Sequence, residues 1–81
     1  MRIEHTKQMR RAIQKFPKQI QDIFYKQVEY LAHDIRHPSL RAKKYDESRG
    51  IWQARVNKNV RFYFRIEGDM YLLLNIRKHS D

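Results

Sequence analysis

The sequence predicts an α+β fold, in which an N-terminal helical hairpin packs on one face of a mainly antiparallel β-sheet of about four strands. Apolar residues recur at helical spacing up to about residue 35, and from residue 41 the period changes to two, as in strands. The chain has 81 residues with only two Gly and two Pro. This length and composition predict a single domain spanning residues 1–81, without long linkers.

The first helix is predicted to follow a short extended start at residues 2–5. Thr6 can cap its N-terminus, and Pro17 stops it because proline lacks a backbone N–H. One apolar stripe runs along this helix and is formed by Met9, Ile13 and Phe16.

The second helix begins at Pro17, whose fixed φ suits a first helical turn. Its apolar stripe consists of Ile20, Phe24, Val28, Leu31 and Ile35. We expect it to end by His37, since the residue before Pro38 avoids helical dihedrals. The tight connection between the two helices predicts an antiparallel hairpin.

The sheet is predicted to begin with an edge strand at residues 41–45, whose lysines would discourage pairing with another sheet. Residues 51–57 form the next strand. The turn-forming residues Asn57, Lys58 and Asn59 lead out of it.

Two further strands complete the predicted sheet. Residues 60–67 form one of them, and Gly68 and Asp69 provide a tight hairpin turn. Residues 70–76 are almost continuously apolar, which is typical of a central strand. The aromatic residues assigned to the core are Trp52, Phe62 and Phe64.

The charge of the chain predicts a polyanionic partner. Eighteen Lys and Arg stand against nine Asp and Glu, giving a net charge of +9, which favours nucleic acid over an anionic membrane or an acidic protein. Cysteine is absent, so disulfide and thiol chemistry are excluded and a reducing cytoplasmic location is favoured. No apolar run approaches the ~20 residues of a membrane span, so no membrane association is expected.

Basic residues are concentrated between Asp34 and Asp46, where no acid interrupts them. They are Arg36, Arg41, Lys43 and Lys44. Beyond the turn, Arg61, Tyr63 and Arg65 alternate with apolar residues and so share one strand face. Rigidly held guanidinium groups suit phosphate oxygens, and the Tyr63 ring could stack on a base.

Two arginines are predicted to meet on this face. Arg55 and Arg61 lie on strands joined by the turn and can approach each other across the sheet. Like charges side by side repel by up to about 1 kcal/mol. The pair therefore indicates an anion between them, or a nearby carboxylate such as Glu67, whereas a solvated charged face is the alternative.

A histidine is the second candidate catalytic group, beside the arginine pair. His79 directly follows the last strand, within reach of a basic groove, and histidine is the natural proton donor or acceptor at neutral pH. His33 and His37 are one helical turn apart, but without a third ligand they are expected to be surface residues. There is no Ser-His-Asp order, Gly-rich phosphate loop, zinc pattern or close carboxylate pair, which disfavours nucleotide-triphosphate hydrolysis and glycosidase chemistry.

A set of short motifs, taken in order, resembles the RelE/ParE superfamily of type II toxin–antitoxin systems, whose toxins are small basic α+β proteins. The motifs are HPSLRAKK, the segment WQARVNKNVRF, and the last strand LLLNI before a histidine. The resemblance covers nearly the whole chain. The pattern of a strand Trp, two Arg and a late His in its YoeB-like members is matched by Trp52, Arg55, Arg61 and His79.

The resemblance implies a metal-independent mRNA endoribonuclease that acts on the ribosome, needs no cofactor, and is silenced by an acidic, partly disordered antitoxin. The RNA 2′-hydroxyl would attack the adjacent phosphate, leaving a cyclic phosphate and a 5′-hydroxyl. Arg61, with Arg55, would stabilise the charge that develops on phosphorus. His79 would protonate the leaving oxygen or help as a base. Lys43 and Lys44 would bind phosphate, one of them also as a candidate base. Further RNA contacts are assigned to Arg41, Tyr63 and Arg65.

Two departures from the YoeB-like pattern leave alternatives open. Ser80 stands where those members carry a tyrosine, and Pro38 and Ser39 occupy the approximate position of their loop carboxylate, for which Asp46 or Glu47 could substitute. The alternatives are a catalytically decayed toxin that only binds antitoxin or nucleic acid, and a ParE-like inhibitor of DNA gyrase. A non-enzymatic nucleic-acid binder is the third.

Overall fold

Two helices pack on one face of a five-stranded sheet in the computed structural model, which describes residues 1–79. The helices are α1 (Lys7–Gln14) and α2 (Lys18–His33). The strands are β1 (Arg2–His5), β2 (Lys43–Asp46), β3 (Ile51–Asn57), β4 (Val60–Glu67) and β5 (Met70–Lys78). A single 3-10 turn, Glu47–Arg49, connects β2 to β3.

The strand order is β1-β5-β4-β3-β2, and only the β1–β5 pair is parallel. The predicted α+β class is therefore confirmed, but the sheet has five strands rather than about four. The difference lies at residues 2–5, which were predicted only to be extended and which pair with β5. Parallel pairing joins segments that are distant in sequence, so local periodicity does not reveal it.

The helix boundaries follow the predicted signals at the start of the chain. The hydroxyl of Thr6 accepts a hydrogen bond from the backbone N–H of Met9 at 3.0 Å, which caps α1. Pro17 precedes α2 with a φ of −58°, a value that suits a helix start.

The second helix ends at His33, within the predicted limit of His37, so that Ile35 lies beyond the helix on which it was predicted. The carboxylate of Asp34 accepts a hydrogen bond from the backbone N–H of Arg36 at 2.8 Å, which favours a turn over a further helical turn. The His37 ring instead stacks on Tyr30, with 3.9 Å between ring centroids.

The core lies between the helices and one face of the sheet. Phe24 from α2 packs edge-on against Phe62, with 5.3 Å between ring centroids. Phe62 and Phe64 are fully buried, and Trp52 stacks on Phe64 from its partly buried position. The aromatic core predicted from the sequence is thus confirmed. Ile66, the next apolar residue in the alternation after Phe64, is 42% exposed because it lies at the far end of β4.

A bulge in β5 changes which of its residues face away from the core. Tyr63 pairs with Asn75 while the next residue, Phe64, pairs with Leu73, so Leu74 is an extra residue in β5. The Thr6 hydroxyl donates a hydrogen bond to the Leu74 carbonyl at 3.1 Å. Beyond the bulge, Ile76 returns to the core and its neighbours in the strand face outward.

The turn between β4 and β5 has the conformation that the sequence predicted. Gly68 has a φ of +61°, in the left-handed region that glycine adopts without steric cost. Neither helix in the described part of the chain combines the length and the apolar character that crossing a membrane requires.

Candidate active site

A hollow of about 320 Å³ opens on the sheet face opposite the helices. We call it the basic hollow, and its lining consists of Arg41, Lys43, Gln53, Arg55, Arg61 and His79. Among the described residues no carboxylate lines it. The two arginines and the histidine that the sequence was expected to bring together thus share one concave surface with two further cations.

The loop before β2 is fixed to β3 by buried polar contacts. The Arg55 backbone N–H donates to the Leu40 carbonyl at 2.7 Å. The side-chain amide of Gln27, buried on α2, donates to the carbonyls of Ser39 at 3.1 Å and Arg55 at 2.8 Å. These contacts hold the start of β2 beside the basic hollow.

Arg41 follows this fixed loop in an unusual backbone conformation. Its φ is +46°, in the left-handed region that non-glycine residues seldom occupy. The contacts of Leu40, which is fully buried, fix the preceding backbone and so impose this conformation. As a result, Arg41 reaches the lining of the basic hollow.

Arg55 is an incompletely paired cation. It lies directly opposite Arg61 in the β3–β4 register, as predicted. Its buried Nε has no hydrogen-bond partner among the described residues. Burial, and then the charges of Arg41 and Arg61, lower the pKa of Arg55 below its ordinary value. A guanidinium does not lose its proton in a protein, so the site holds positive charge that an anion would stabilise.

Arg61 is held rigidly by the β3–β4 turn. The residue is only 9% exposed. Its Nη1 donates to the carbonyl oxygens of Asn57 at 2.7 Å and Lys58 at 3.2 Å. These bonds orient the guanidinium before any ligand arrives, which is the preorganisation that stabilises developing charge.

The same turn positions His79. The backbone N–H of His79 donates to the Asn59 carbonyl at 2.7 Å, which ties the end of β5 to the turn. His79 is exposed and lines both the basic hollow and a neighbouring, more apolar hollow beside Phe16 and Ile20. One short turn therefore places both an arginine and a histidine at the same site.

The two lysines proposed for the site lie on opposite faces of β2. Lys43 pairs with Gln53 in the register and lines the basic hollow. Lys44 pairs with Trp52, and its Nζ lies 6.0 Å from the Trp52 ring centroid in a separate hollow. The structure therefore does not bring Lys44 together with the other residues predicted to be catalytic, because successive strand residues point to opposite faces.

Tyr63 is not the exposed stacking platform that the alternation suggested. It is 8% exposed because the Tyr45 ring packs edge-on against it, with 4.9 Å between centroids, and the Arg77 guanidinium lies 4.8 Å from its ring. The edge strand β2 therefore covers a residue that the sequence placed in the open.

Arg65, the third predicted RNA contact, lies near the β4–β5 end of the sheet and outside the basic hollow. Its Nε donates to Glu67 Oε2 at 3.0 Å. Glu67 therefore neutralises Arg65, and the suggestion that this carboxylate could separate Arg55 and Arg61 is wrong.

Several site residues escaped prediction. Gln53 is buried in the lining of the basic hollow, and period-two alternation from Arg55 would have found it. The role of Gln27 could not be predicted from the sequence, because most glutamines on helices are exposed and no neighbouring residue indicates that this one is buried. Arg77 pairs with Arg61 in the β4–β5 register, and the bulge in β5 concealed its direction.

In the described range 1–79, no three His, Cys, Asp or Glu side chains come together in a way that would hold a metal ion. His37 lies on Tyr30 and its Nδ1 is 2.8 Å from the Ser39 hydroxyl. Ser80, which replaces the tyrosine of YoeB-like toxins, lies outside the described residues.

Comparison of the sequence alone finds no matching family model and no matching curated protein. Comparison of the structure does find relatives. A YoeB/ParE toxin from Agrobacterium tumefaciens superposes with a TM-score of 0.81 at 14% identity, over 99% of this chain and 100% of that one. An archaeal RelE–RelB complex from Pyrococcus horikoshii gives a TM-score of 0.81 at 17% identity, over 98% of this chain and 94% of the other.

A third relative is more similar in sequence. The toxin–antitoxin complex RelBE2 from Mycobacterium tuberculosis contains a chain with a TM-score of 0.71 and 25% identity, covering 99% of this chain and 92% of that one. The resemblance seen in the motifs is thereby confirmed in three dimensions over nearly the full length of each relative. This chain has the fold of the RelE/ParE superfamily of toxins.

Proposed function

We propose that this protein is the toxin of a type II toxin–antitoxin system and that it cleaves mRNA, using the basic hollow as its active site. The observation that carries the proposal is the convergence of Arg55, Arg61 and His79 on one hollow that no carboxylate of residues 1–79 lines. Such a surface binds a phosphodiester and can stabilise the additional charge that forms during its cleavage.

The reaction we propose is transesterification within the RNA. The 2′-hydroxyl gives its proton to a base, for which Lys43 is the candidate in the hollow, and attacks the adjacent phosphorus, while the bond from phosphorus to the 5′-oxygen breaks. The products are a 2′,3′-cyclic phosphate and a 5′-hydroxyl. Arg61, fixed by the turn, and Arg55, which lacks a full set of partners, would face the equatorial oxygens as negative charge builds on them.

The remaining residues of the hollow have supporting roles in this proposal. His79 protonates the leaving 5′-oxygen, because imidazole exchanges protons near neutral pH. Arg41 and Lys43 bind the flanking phosphates, contacts that set the position of the strand without reading its sequence. Each step uses side chains of this chain.

The partners in this proposal are mRNA on the ribosome and an acidic antitoxin in the cytoplasm. Solved relatives include a RelE–RelB complex and a toxin–antitoxin complex. A net charge of +9 and a hollow lined by four arginine and lysine side chains support an acidic segment as the inhibitor.

Induced expression with mapping of message ends tests the proposal. Wild-type protein should arrest growth and produce discrete cuts within messages. His79→Gln and Arg55→Gln should each reduce cleavage by about 10²-fold or more, since a general acid contributes roughly 10²–10⁴-fold and one donor to a developing oxyanion contributes roughly 10²–10³-fold. Arg65→Gln is the matched control, because Arg65 lies outside the hollow and should leave cleavage intact.

The alternative targets give different results in the same experiment. An inhibitor of DNA gyrase would produce DNA damage while messages stay whole. A non-enzymatic binder would protect RNA without cutting it, and its affinity would fall steeply with salt. Either result would contradict the nuclease proposal.

A further inference from the structure

A second hollow, of about 400 Å³, lies beside the basic hollow on the same sheet face. We call it the tyrosine hollow, and its lining includes Tyr45, Arg49, Tyr63, Asn75 and Arg77. In the β4–β5 register Arg77 lies opposite Arg61, and Asn75 lies opposite Tyr63. The two hollows therefore follow one another along β4, about 7 Å apart, as residues i and i+2 of a strand are.

Tyr45 offers an aromatic ring at the edge of this hollow. It is 52% exposed although it packs against Tyr63. Its hydroxyl is 3.4 Å from Nη2 of Arg77, so the ring is supported on two sides. A ring that is both supported and half exposed provides a stacking surface at little entropic cost.

Arg77 adds positive charge next to this ring. Its guanidinium lies over the Tyr63 ring, and hydrogen bonding with Tyr63 and then Tyr45 raises its pKa. Arg77 forms no ion pair with any carboxylate of the described residues. Its charge is therefore available to a phosphate that enters between the two hollows.

Asn75 supplies a polar group capable of reading a base. Its side chain is partly buried, and among the described residues no hydrogen bond is made to its amide. A side-chain amide presents a donor and an acceptor side by side. This pair matches N7 and the N6 amino group of adenine, the bidentate contact that asparagine and glutamine make.

We propose that the tyrosine hollow is a nucleotide subsite that selects adenine next to the phosphate held in the basic hollow. The base stacks on Tyr45, Asn75 reads its edge, and Arg77 holds the phosphate between the two hollows. This subsite rests on the proposed function in so far as the strand it binds is RNA. Stacking on aromatic rings combined with hydrogen bonding to base edges is the means by which proteins recognise single-stranded RNA.

Binding of short RNA that cannot be cleaved tests the subsite separately from catalysis. The probes are 2′-O-methyl tetranucleotides of each single base, whose blocked 2′-oxygen cannot attack phosphorus, at one fixed salt concentration. Wild-type protein should bind the adenine probe about tenfold more tightly than the uracil probe. Asn75→Leu should abolish this difference, and Tyr45→Ala should weaken binding of every probe by about tenfold.

Tyr25→Ala is the matched control, since Tyr25 is a comparably exposed tyrosine, 48% exposed, on α2. It should bind all probes as wild type does. Equal affinity for the four probes, preserved adenine preference in Asn75→Leu, or no binding of any probe would each overturn the subsite. Message cleavage measured in parallel distinguishes the subsite proposal from the nuclease proposal. Cleavage without a preference for adenine contradicts only the subsite proposal. Selective binding of the adenine probe without cleavage contradicts only the nuclease proposal.

Discussion

Arg55 and Arg61 lie directly opposite each other on β3 and β4, with Arg41 close enough to repel Arg55 and with no carboxylate from the described part of the chain in the hollow they line. This arrangement is unfavourable in the absence of an anion and favourable in its presence. The site should therefore carry a measurable cost in stability.

We predict that Arg55→Gln stabilises the ligand-free protein while it impairs cleavage. Removing one of two opposed charges should raise the free energy of unfolding. Urea unfolding of the two proteins measures this. Arg65→Gln, which only removes a surface ion pair with Glu67, should give no such gain. A destabilised Arg55→Gln protein would mean that the arginine is a structural residue and that no anion is needed.

We predict that Arg61→Lys loses stability although it keeps the charge. Nη1 of Arg61 bonds to the turn carbonyls of Asn57 and Lys58, and a lysine ammonium lacks the planar fork that reaches them. The expected loss in the free energy of unfolding is about 1.5–3 kcal/mol, typical of hydrogen bonds to charged groups. Arg65→Lys serves as the exposed control, and equal losses in both variants would refute the role of the turn contacts.

We predict that Gln27→Leu lowers the stability of the protein and increases the mobility of the loop beside the basic hollow. The substitution leaves the carbonyls of Ser39 and Arg55 without their amide donor, at a cost of about 1–3 kcal/mol for each unsatisfied group. Thermal unfolding should report the loss, and amide hydrogen exchange should rise at Arg55, whose N–H is bonded to Leu40. Gln19→Leu, on the exposed side of α2, should change neither quantity. Slow exchange at Arg55 in Gln27→Leu would contradict this account.

We predict that stability falls on mild acidification because of His5. Burial, and then the charge of Arg10, lower the pKa of His5 below its ordinary 6.5, while Glu4 opposes the shift. The unfolded chain therefore binds the proton more readily, and stability that is present above about pH 6.5 is lost as the pH falls through the range below it.

The measurement for His5 is the melting temperature at about pH 7.5 and about pH 5. His5→Gln should reduce the difference between the two values. His33→Gln, at the exposed end of α2, should leave the difference as in wild type. A pH dependence that His5→Gln leaves unchanged would assign it to another group.

Much of the sheet could be predicted from the alternation of apolar and polar residues. This alternation arises because the strands bury only one face against the helices. Phe62 and Phe64 mark the core face of β4, which fixes Arg61 on the other face, and the short turn then sets Arg55 opposite it. The bounds of β3 and β4 match the prediction because turn residues flank both strands.

The remainder depends on contacts between distant parts of the chain. The bulge at Leu74 is stabilised by Thr6 from the start of the chain, so the apolar run in β5 gives no sign that Asn75 and Arg77 face the site. In the same way, the burial of Tyr63 requires Tyr45 to fold across the sheet, which no local pattern predicts.

The chemistry of the cut ends tests the central claim most directly. Translating ribosomes programmed with a defined message would be treated with the purified protein, and the ends of the fragments identified by mass spectrometry. Cleavage in the basic hollow by the adjacent 2′-hydroxyl predicts 2′,3′-cyclic phosphate and 5′-hydroxyl ends, and no cut where a single 2′-deoxynucleotide replaces the attacking one. Fragments with 5′-phosphate ends, cutting that persists at the 2′-deoxy position, or messages that stay whole would contradict the account.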